Sequence, residues 1–396
     1  MFERLQFCRA SAKPLIILPT LGVTVTYLYS SCGLSGEGPG LQRPETFATT
    51  QSLMDPHALP ERGPWFEGWY ARFSPADTEA PSVGVVVGSI LAPGASGALS
   101  ATAGLPGFVS VLVSRGPDYP LQVLQARVSK SYLRDGSGRP VNRDPLPSRR
   151  ASFSWVSDDS GLLSPTEIDL RGPEGWRLKA NVSPPTRVSW DSFLGPAGPA
   201  SLLRFLPLQW YVYGQDLAAT WQLETGHGEV IRSDSGGRAH FEKNWGRQFP
   251  AKYIWLQGLA ARGATNDSIV AAGGHLGLSG PAGLEAYLVV INQGARRFVF
   301  SPVNGALFSR SEVDACRGSF RLKTKSVDGE LTLTATAPRR SFGTILIPTG
   351  QDFEPKSEQS FDALLTADIR TPSGEQLRVT SRSSALEFGG GHKCPN

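Results

Sequence analysis

His240-Phe-Glu-Lys-Asn-Trp-Gly-Arg-Gln-Phe-Pro-Ala-Lys-Tyr-Ile-Trp-Leu-Gln257 sets a histidine, a carboxylate, a lysine, an asparagine and two tryptophans around one glycine and one proline. Read as extended chain, it places His240, Glu242 and Asn244 on one face and Phe241, Lys243 and Trp245 on the other. Trp245-Gly-Arg then bends the chain. Phe249-Pro250 delivers it into a second strand, with Tyr253, Trp255 and Gln257 on one face and Ile254 and Leu256 on the other. An earlier segment, Pro64-Trp-Phe-Glu-Gly-Trp-Tyr-Ala-Arg-Phe73, repeats the theme of an acid among aromatics. Alternation there puts Glu67, Trp69, Ala71 and Phe73 together, opposite Phe66, Gly68, Tyr70 and Arg72. The two segments suggest one site assembled from both halves of the chain.

Outward from these stretches the pattern is β throughout. Short runs rich in Val, Leu and Phe are separated by Gly, Pro, Asp and Asn, with almost no helical periodicity. Strands are expected at 83–90, 108–114, 121–128, 176–182, 253–260, 269–278, 286–291, 298–301 and 377–381. Phe320 to Lys325 and Leu331 to Thr336 alternate apolar with polar and predict a hairpin across Val327-Asp328-Gly329. Ala200 to Leu206 is the one helical candidate of note. The fold class is all-β, built from two antiparallel β-barrel or sandwich domains, since the folded part is too long for one small barrel. We place these domains at 61–232 and 233–391, with the junction in the turn-rich stretch Gly226 to Ser235.

Before the fold, residues 1–34 run from basic (Arg4, Arg9, Lys13) to apolar (Leu15 to Leu28) to small (Ser30-Ser31-Cys32-Gly33), the order of a secretory signal or short membrane anchor. Residues 35–60 follow as a Gly- and Pro-rich linker. The expected location is therefore membrane-associated or exported, and a plastid if the source is photosynthetic. Over 396 residues the net charge is only +4, which gives no case for nucleic acid. Cys8, Cys32, Cys316 and Cys394 lie far apart and form neither a zinc motif nor a disulfide framework. If the amino terminus is removed at or before Cys32, Cys316 and Cys394 are left to pair in an oxidising compartment.

A carboxylate among aromatic rings is either paired with a cation or protonated. Glu67 is thus a general acid with a raised pKa, or a structural partner of Arg72 or Lys243. His240, Glu242 and Asn244 are an acid–base constellation, or a buried polar network that fixes the barrel entrance. The five histidines lack metal-ligand spacing, no Gly-x-Ser-x-Gly elbow is present, and Gly389-Gly-Gly391 lacks the strand-to-helix setting of a phosphate loop. Metal: none, on this reading.

Glu242-Lys-Asn-Trp-Gly246, Phe249-Pro250, Tyr253-x-Trp255-x-Gln257 and Phe66-Glu-Gly-Trp-Tyr70 together resemble the signature of the tocopherol cyclase family. Ala272-Gly-Gly274, Phe300 to Gly305 and Ala385 to Gly391 echo it in the same order. The resemblance implies two lipocalin-like β-barrels around an apolar ligand, a prenylated aromatic or another lipid, with membrane association through the amino-terminal segment. For true members it implies closure of a chromanol ring on a prenylated quinol: an acid protonates the prenyl alkene and the phenolic oxygen captures the cation. Cofactors: none are required. Glu67 or Glu242 would be the acid, with His240 and Asn244 orienting the phenol; Trp69, Tyr70, Lys243, Trp245, Tyr253 and Trp255 would line the ligand. Relatives on similar double barrels include hydratases that add water to an alkene and lipid-binding proteins without chemistry, so a non-catalytic carrier is the alternative expectation.

Overall fold

The alternation of apolar and polar side chains in the chain's short runs closes into two antiparallel sheets, each wrapped around its own core. The computed structural model describes residues 55–57, 59–75, 80–134, 154–184, 190, 195–198, 208–233, 236–259, 267–275 and 285–395. The signal-like segment 1–34, most of the 35–60 linker and the helical candidate at 200–206 lie outside the described residues.

The first sheet contains β1 (Trp65–Ser74), β2 (Ser82–Leu91), β3 (Leu105–Ser114), β4 (Gln122–Arg134), β5 (Ser154–Ser157) and β6 (Gly161–Leu163). It continues through β7 (Glu167–Arg171), β8 (Arg177–Val182), β9 (Leu208–Glu224), β10 (Val230–Arg232) and β11 (Arg238–Gly246). The order is β10-β9-β11-β1-β2-β3-β4-β5-β6-β7-β8, and β8 pairs back onto β9, so the sheet closes into a barrel. Its interior is filled by inward-facing residues such as Trp69, Phe73, Val85, Val111, Trp155, Leu178 and Phe241. A short helix, α1 (Gly97–Ala103), joins β2 to β3.

The second sheet contains β12 (Lys252–Leu259), β13 (Ser268–His275), β14 (Glu285–Gln293), β15 (Arg296–Phe300) and β16 (Ser309–Asp314). It adds β17 (Ser319–Ser326), β18 (Gly329–Thr336), β19 (Gly343–Pro348), β20 (Phe353–Arg370) and β21 (Gln376–Gly390). The order is β15-β14-β13-β12-β21-β20-β18-β17-β16, with β19 paired to β20. Nine of these strands send side chains into one core, among them Leu256, Ile269, Phe300, Phe320, Leu333, Leu365 and Phe388, so this sheet also curls into a barrel, but an open one. The β17–β18 hairpin turns where the alternation predicts, Ser326 facing Gly329.

Sheet membership changes between Gly246 and Lys252, at the Trp245-Gly-Arg bend, rather than at 232/233. β11 completes the first barrel by pairing with both β1 and β9. Cys316 and Cys394 form a disulfide that ties the chain's end to the turn between β16 and β17.

The two barrels meet along a seam. Tyr70, Trp210 and Val212 from the first barrel pack with Trp255, Val270, Val290, Phe361 and Ala385 from the second. A second apolar patch joins Phe66, Ile90 and Phe108 to Phe353. These side chains point outward from their own barrels, so burying them depends on the partner barrel, and their apolar area is what holds the pair together.

Candidate functional site

β1 and β11 are hydrogen-bonded neighbours, which brings the two signature segments side by side with Glu67 opposite Trp245, Trp69 opposite Lys243 and Tyr70 opposite Glu242. Period two then separates their acids. Glu67, Trp69, Lys243 and Trp245 point into the first barrel, whereas Tyr70, Arg72, His240 and Glu242 point out into the seam. The sequence-predicted residues therefore divide into two clusters on opposite faces of one strand pair.

Inside the barrel, Lys243 Nζ lies 2.6 Å from Glu67 Oε1, and both side chains are fully buried. His57 closes the cluster: its Nδ1 is 2.7 Å from Glu67 Oε1 and its backbone N–H donates to the same carboxylate. Lys243 also donates to the Asp55 carbonyl and lies over the rings of Trp69 and Trp245, 5.2 and 5.0 Å from their centroids. His57 stacks on Trp245 at 4.4 Å. Burial alone would raise the Glu67 pKa, but the Lys243 ammonium and the His57 hydrogen bond outweigh it and hold the carboxyl below its ordinary value. This is an ion pair inside the barrel that pins the segment before β1. It is poorly suited to giving up a proton, because the proton is not there to give.

The seam is different in kind. Glu242 Oε2 accepts from Trp255 Nε1 at 3.1 Å and lies 2.8 Å from His240 Nε2, while Asn244 Nδ2 reaches Oε1 only at 3.4 Å. An ionised Glu242 selects the His240 tautomer with the proton on Nε2, leaving Nδ1 as a bare acceptor. Tyr70 packs edge-on against Trp255 at 5.0 Å and lies 6.4 Å from His240. Arg72, opposite His240, donates to Gln257 Oε1 at 2.9 Å and to the Ser383 carbonyl, and its guanidinium covers Phe361.

From the second barrel comes Glu387, directly opposite Trp255 on β12 and Gln359 on β20. Its Oε1 accepts from Tyr253 Oη and from Ser357 Oγ, both at 2.6 Å, and its Oε2 from Gln359 Nε2 at 3.3 Å. Burial raises the Glu387 pKa to about 7; the Ser357 and Tyr253 hydrogen bonds pull it down and Glu242 pushes it up. Burial likewise pushes the Tyr70 phenol well above its ordinary value; Arg72 opposes this, Glu242 and Glu387 add to it, and the nearby Gln359 amide opposes it weakly.

Among the described residues, several buried polar atoms in this seam make no direct hydrogen bond, including Arg72 Nε, His240 Nδ1, Gln257 Nε2 and Gln359 Oε1. Orphaned buried polar atoms are rare because each costs about 1–3 kcal/mol. Beside the Glu242 and Glu387 carboxyls and the rings of Tyr70 and Trp255, these atoms leave both donor and acceptor capacity unused in an otherwise apolar setting.

The sequence reading names Tyr70, His240, Glu242, Asn244, Tyr253 and Trp255, all of which lie in or on the seam. It misses Glu387, Gln359 and Arg72 as members. Glu387 sits within Ala385-Leu-Glu-Phe-Gly-Gly-Gly391, whose glycines draw attention away from the acid. The available signal is the same as for Glu67: a lone carboxylate in an apolar run next to an aromatic, Phe388 here and Phe66 there.

Residues 197–390 match the model of the Tocopherol cyclase-like family, a span that holds His240, Glu242, Asn244, Tyr253, Trp255 and Glu387 but neither Glu67 nor Tyr70. Among solved structures, the chain is similar to kievitone hydratase from Nectria haematococca, with 10% identity and a TM-score of 0.51 over 87% of this chain and 94% of that one. An AttH-like protein from Nitrosomonas europaea aligns over 90% of this chain and 99% of its own, at 13% identity and a TM-score of 0.45. At these identities the likeness to the hydratase speaks for the fold. The search of curated proteins returns no significant match.

Proposed function

From a chain that carries a tocopherol cyclase-like domain over residues 197–390, we propose an enzyme that drives acid-catalysed addition to the alkene of a prenylated aromatic bound in the seam. The observation that carries this reading is the convergence of buried polar atoms without a hydrogen bond among the described residues, Arg72 Nε, His240 Nδ1, Gln257 Nε2 and Gln359 Oε1, with the carboxyls of Glu242 and Glu387. In the cyclase form of the reaction, a carboxylic acid protonates the prenyl double bond to give a tertiary cation. The phenolic oxygen of the same molecule then bonds to that carbon and closes a chromanol ring. The phenol proton passes to His240 Nδ1, the face of the imidazole that Glu242 leaves free. The product is an isomer of the substrate, so the chemistry consumes nothing, and the proton balance is restored when the donor carboxylate takes a proton from solvent and the His240 imidazolium releases one.

The rings of Tyr70 and Trp255 support this route, because aromatic faces stabilise a passing cation and a dry site keeps water from trapping it. Hydration is the same first step with water as the nucleophile, and the structural neighbour named kievitone hydratase keeps that variant in view. Glu67 is left out of the acid role because Lys243 and His57 hold it ionised. That Glu67 and Glu242 are both held by partners also suits a carrier that binds such a lipid without changing it.

The test is incubation of protein lacking residues 1–34 with a panel of prenylated benzoquinols under reducing conditions. The expected result is a product of unchanged mass and altered retention, above heat-killed controls. Glu242→Gln, which removes the carboxylate that orients the His240 imidazole, is expected to lower kcat by about 10²-fold with little change in KM. Retention of the quinol without conversion would replace the enzyme with the carrier.

The amino-terminal segment belongs to the same proposal: residues 1–34 direct the protein to a membrane or through one, where a lipophilic substrate resides. The Cys316–Cys394 disulfide supports an oxidising compartment. Mass spectrometry of the native protein tests it, and an intact amino terminus at Met1 on a freely soluble protein would overturn it.

A further inference from the structure

Glu242 and Glu387 approach the seam from different barrels and in different company. Glu242 has a histidine at 2.8 Å. Glu387 has no ion-pair partner among the described residues: it touches two hydroxyls and an amide, all neutral. Arg72, the guanidinium beside Tyr70 in the seam, is turned to Gln257 and the Ser383 carbonyl. Among the described residues, the titratable groups that act on Glu387 are Tyr253 from β12 and Glu242 and Tyr70 from the first barrel, with Arg72 beside Tyr70; Glu358, its neighbour on β20, faces away toward Arg339.

Building on the acid-driven reading above, we propose that Glu387 is the proton donor of the seam and that Gln359 is the positioning residue that serves both its states. Glu387 enters the cycle protonated. Its O–H bond breaks as the alkene π pair takes the proton, and the carboxylate that remains is received by the hydroxyls of Tyr253 and Ser357, already aimed at Oε1. No solvent reorganisation is needed to hold the new charge, which is how a preorganised site lowers the barrier. His240 Nδ1, on the opposite wall, accepts the phenol proton, so donor and acceptor are separate groups on separate barrels.

Gln359 explains itself on the same terms. Its Nε2 donates to Glu387 Oε2 at 3.3 Å while its Oε1 is left without a donor. That orientation serves an ionised Glu387. A half-turn of the amide presents Oε1 instead, which accepts the proton of the neutral acid, and the two orientations are nearly isosteric. A shift of the Glu387 pKa to about 7 agrees with a group that holds its proton until the ligand needs it.

The experiment pairs infrared titration with turnover on the full chain. In the wild type, a protonated-carboxyl carbonyl band is expected to bleach with a midpoint near pH 7, to vanish in Glu387→Gln and to persist in Glu242→Gln. Tyr253→Phe removes a hydrogen bond that favours the carboxylate, so the midpoint moves to higher pH, and the alkaline limb of turnover moves with it. A merely structural Tyr253 would not shift that limb. With a prenylated benzoquinol in deuterated buffer, wild-type product gains one deuterium and Glu387→Gln loses about 100-fold or more in kcat. The inference is overturned if the band is missing, if it survives in Glu387→Gln, or if that variant turns over within a few-fold of wild type. A band that titrates as described in a protein that leaves every quinol unchanged would instead overturn the proposed reaction and leave the stored proton standing.

Discussion

Glu67 and Glu387 are both buried carboxyls, and their pKa values move in opposite directions because Lys243 stands beside the first and only neutral donors stand beside the second. The consequences for stability are opposite in sign. Glu387 has a folded-state pKa raised from 4.5 to about 7, so its contribution is fully present below the unfolded value and is lost as pH rises through 7. That span corresponds to about 3 kcal/mol as an upper bound. Glu387→Gln should therefore gain on the wild type in urea unfolding as pH moves from 5 to 8. Glu67 has a depressed pKa, so its contribution is present above the unfolded value and is lost as pH falls. Lys243→Met strands the Glu67 charge in the barrel and should cost about 3–5 kcal/mol. Adding Glu67→Gln to Lys243→Met should recover part of that loss, which a double-mutant cycle in urea would read directly.

At the scale of the element, β12 and β21 form the wall that carries Tyr253, Trp255 and Glu387, and the glycines at the end of β21 determine how close that wall can be. A Cβ on Gly389 would overlap the Tyr253 ring, its register partner. Gly390 has φ of 59° and abuts the Ala251 carbonyl, where a side chain would strain the turn out of the strand. Gly389→Ala is expected to displace the Tyr253 ring from Glu387, to cost about 1–3 kcal/mol in stability, and to raise the midpoint of the Glu387 titration as Tyr253→Phe does; calorimetry and the same infrared titration check it. The sequence displays this glycine run plainly, but its purpose depends on a strand more than a hundred residues earlier. For the same reason strands with a clean two-residue period, such as β17 and β18, are legible in the chain, whereas β9 and β20 are not singled out. Both are long, and β20 opens on Glu354, Lys356 and Glu358 before its apolar alternation begins. Faces of β1, β11 and β12 follow from alternation alone; which face meets the other barrel does not, because that is decided by contacts between halves of the chain.

For the whole molecule, the seam makes chemistry a property of the pair of barrels, since Glu242 and His240 come from one and Glu387 from the other. Polar contacts across it, including Ser114 with Asp362 at 2.7 Å and Arg127 with Asp352, fix that relationship alongside the apolar packing. The Cys316–Cys394 disulfide closes a loop of 78 residues in sequence within the second barrel. Reduction, or Cys394→Ser, should lower stability by about 2–5 kcal/mol, seen as a lower melting temperature in the presence of a reductant and no change in the variant when reductant is added.

The first sheet, by pairing β8 with β9, has no free rim along its ring, while the second ends on β15 and β16. A strand at the end of a sheet is an open invitation to a strand from another molecule. Here those ends are studded with Arg296, Arg297, Arg310 and Glu312, and β16 is only six residues long. Charge on a short border discourages stacking of one copy on the next. On the second barrel, then, what stands against such pairing is charge on a short border, whereas on the first the closed ring leaves little border to pair with.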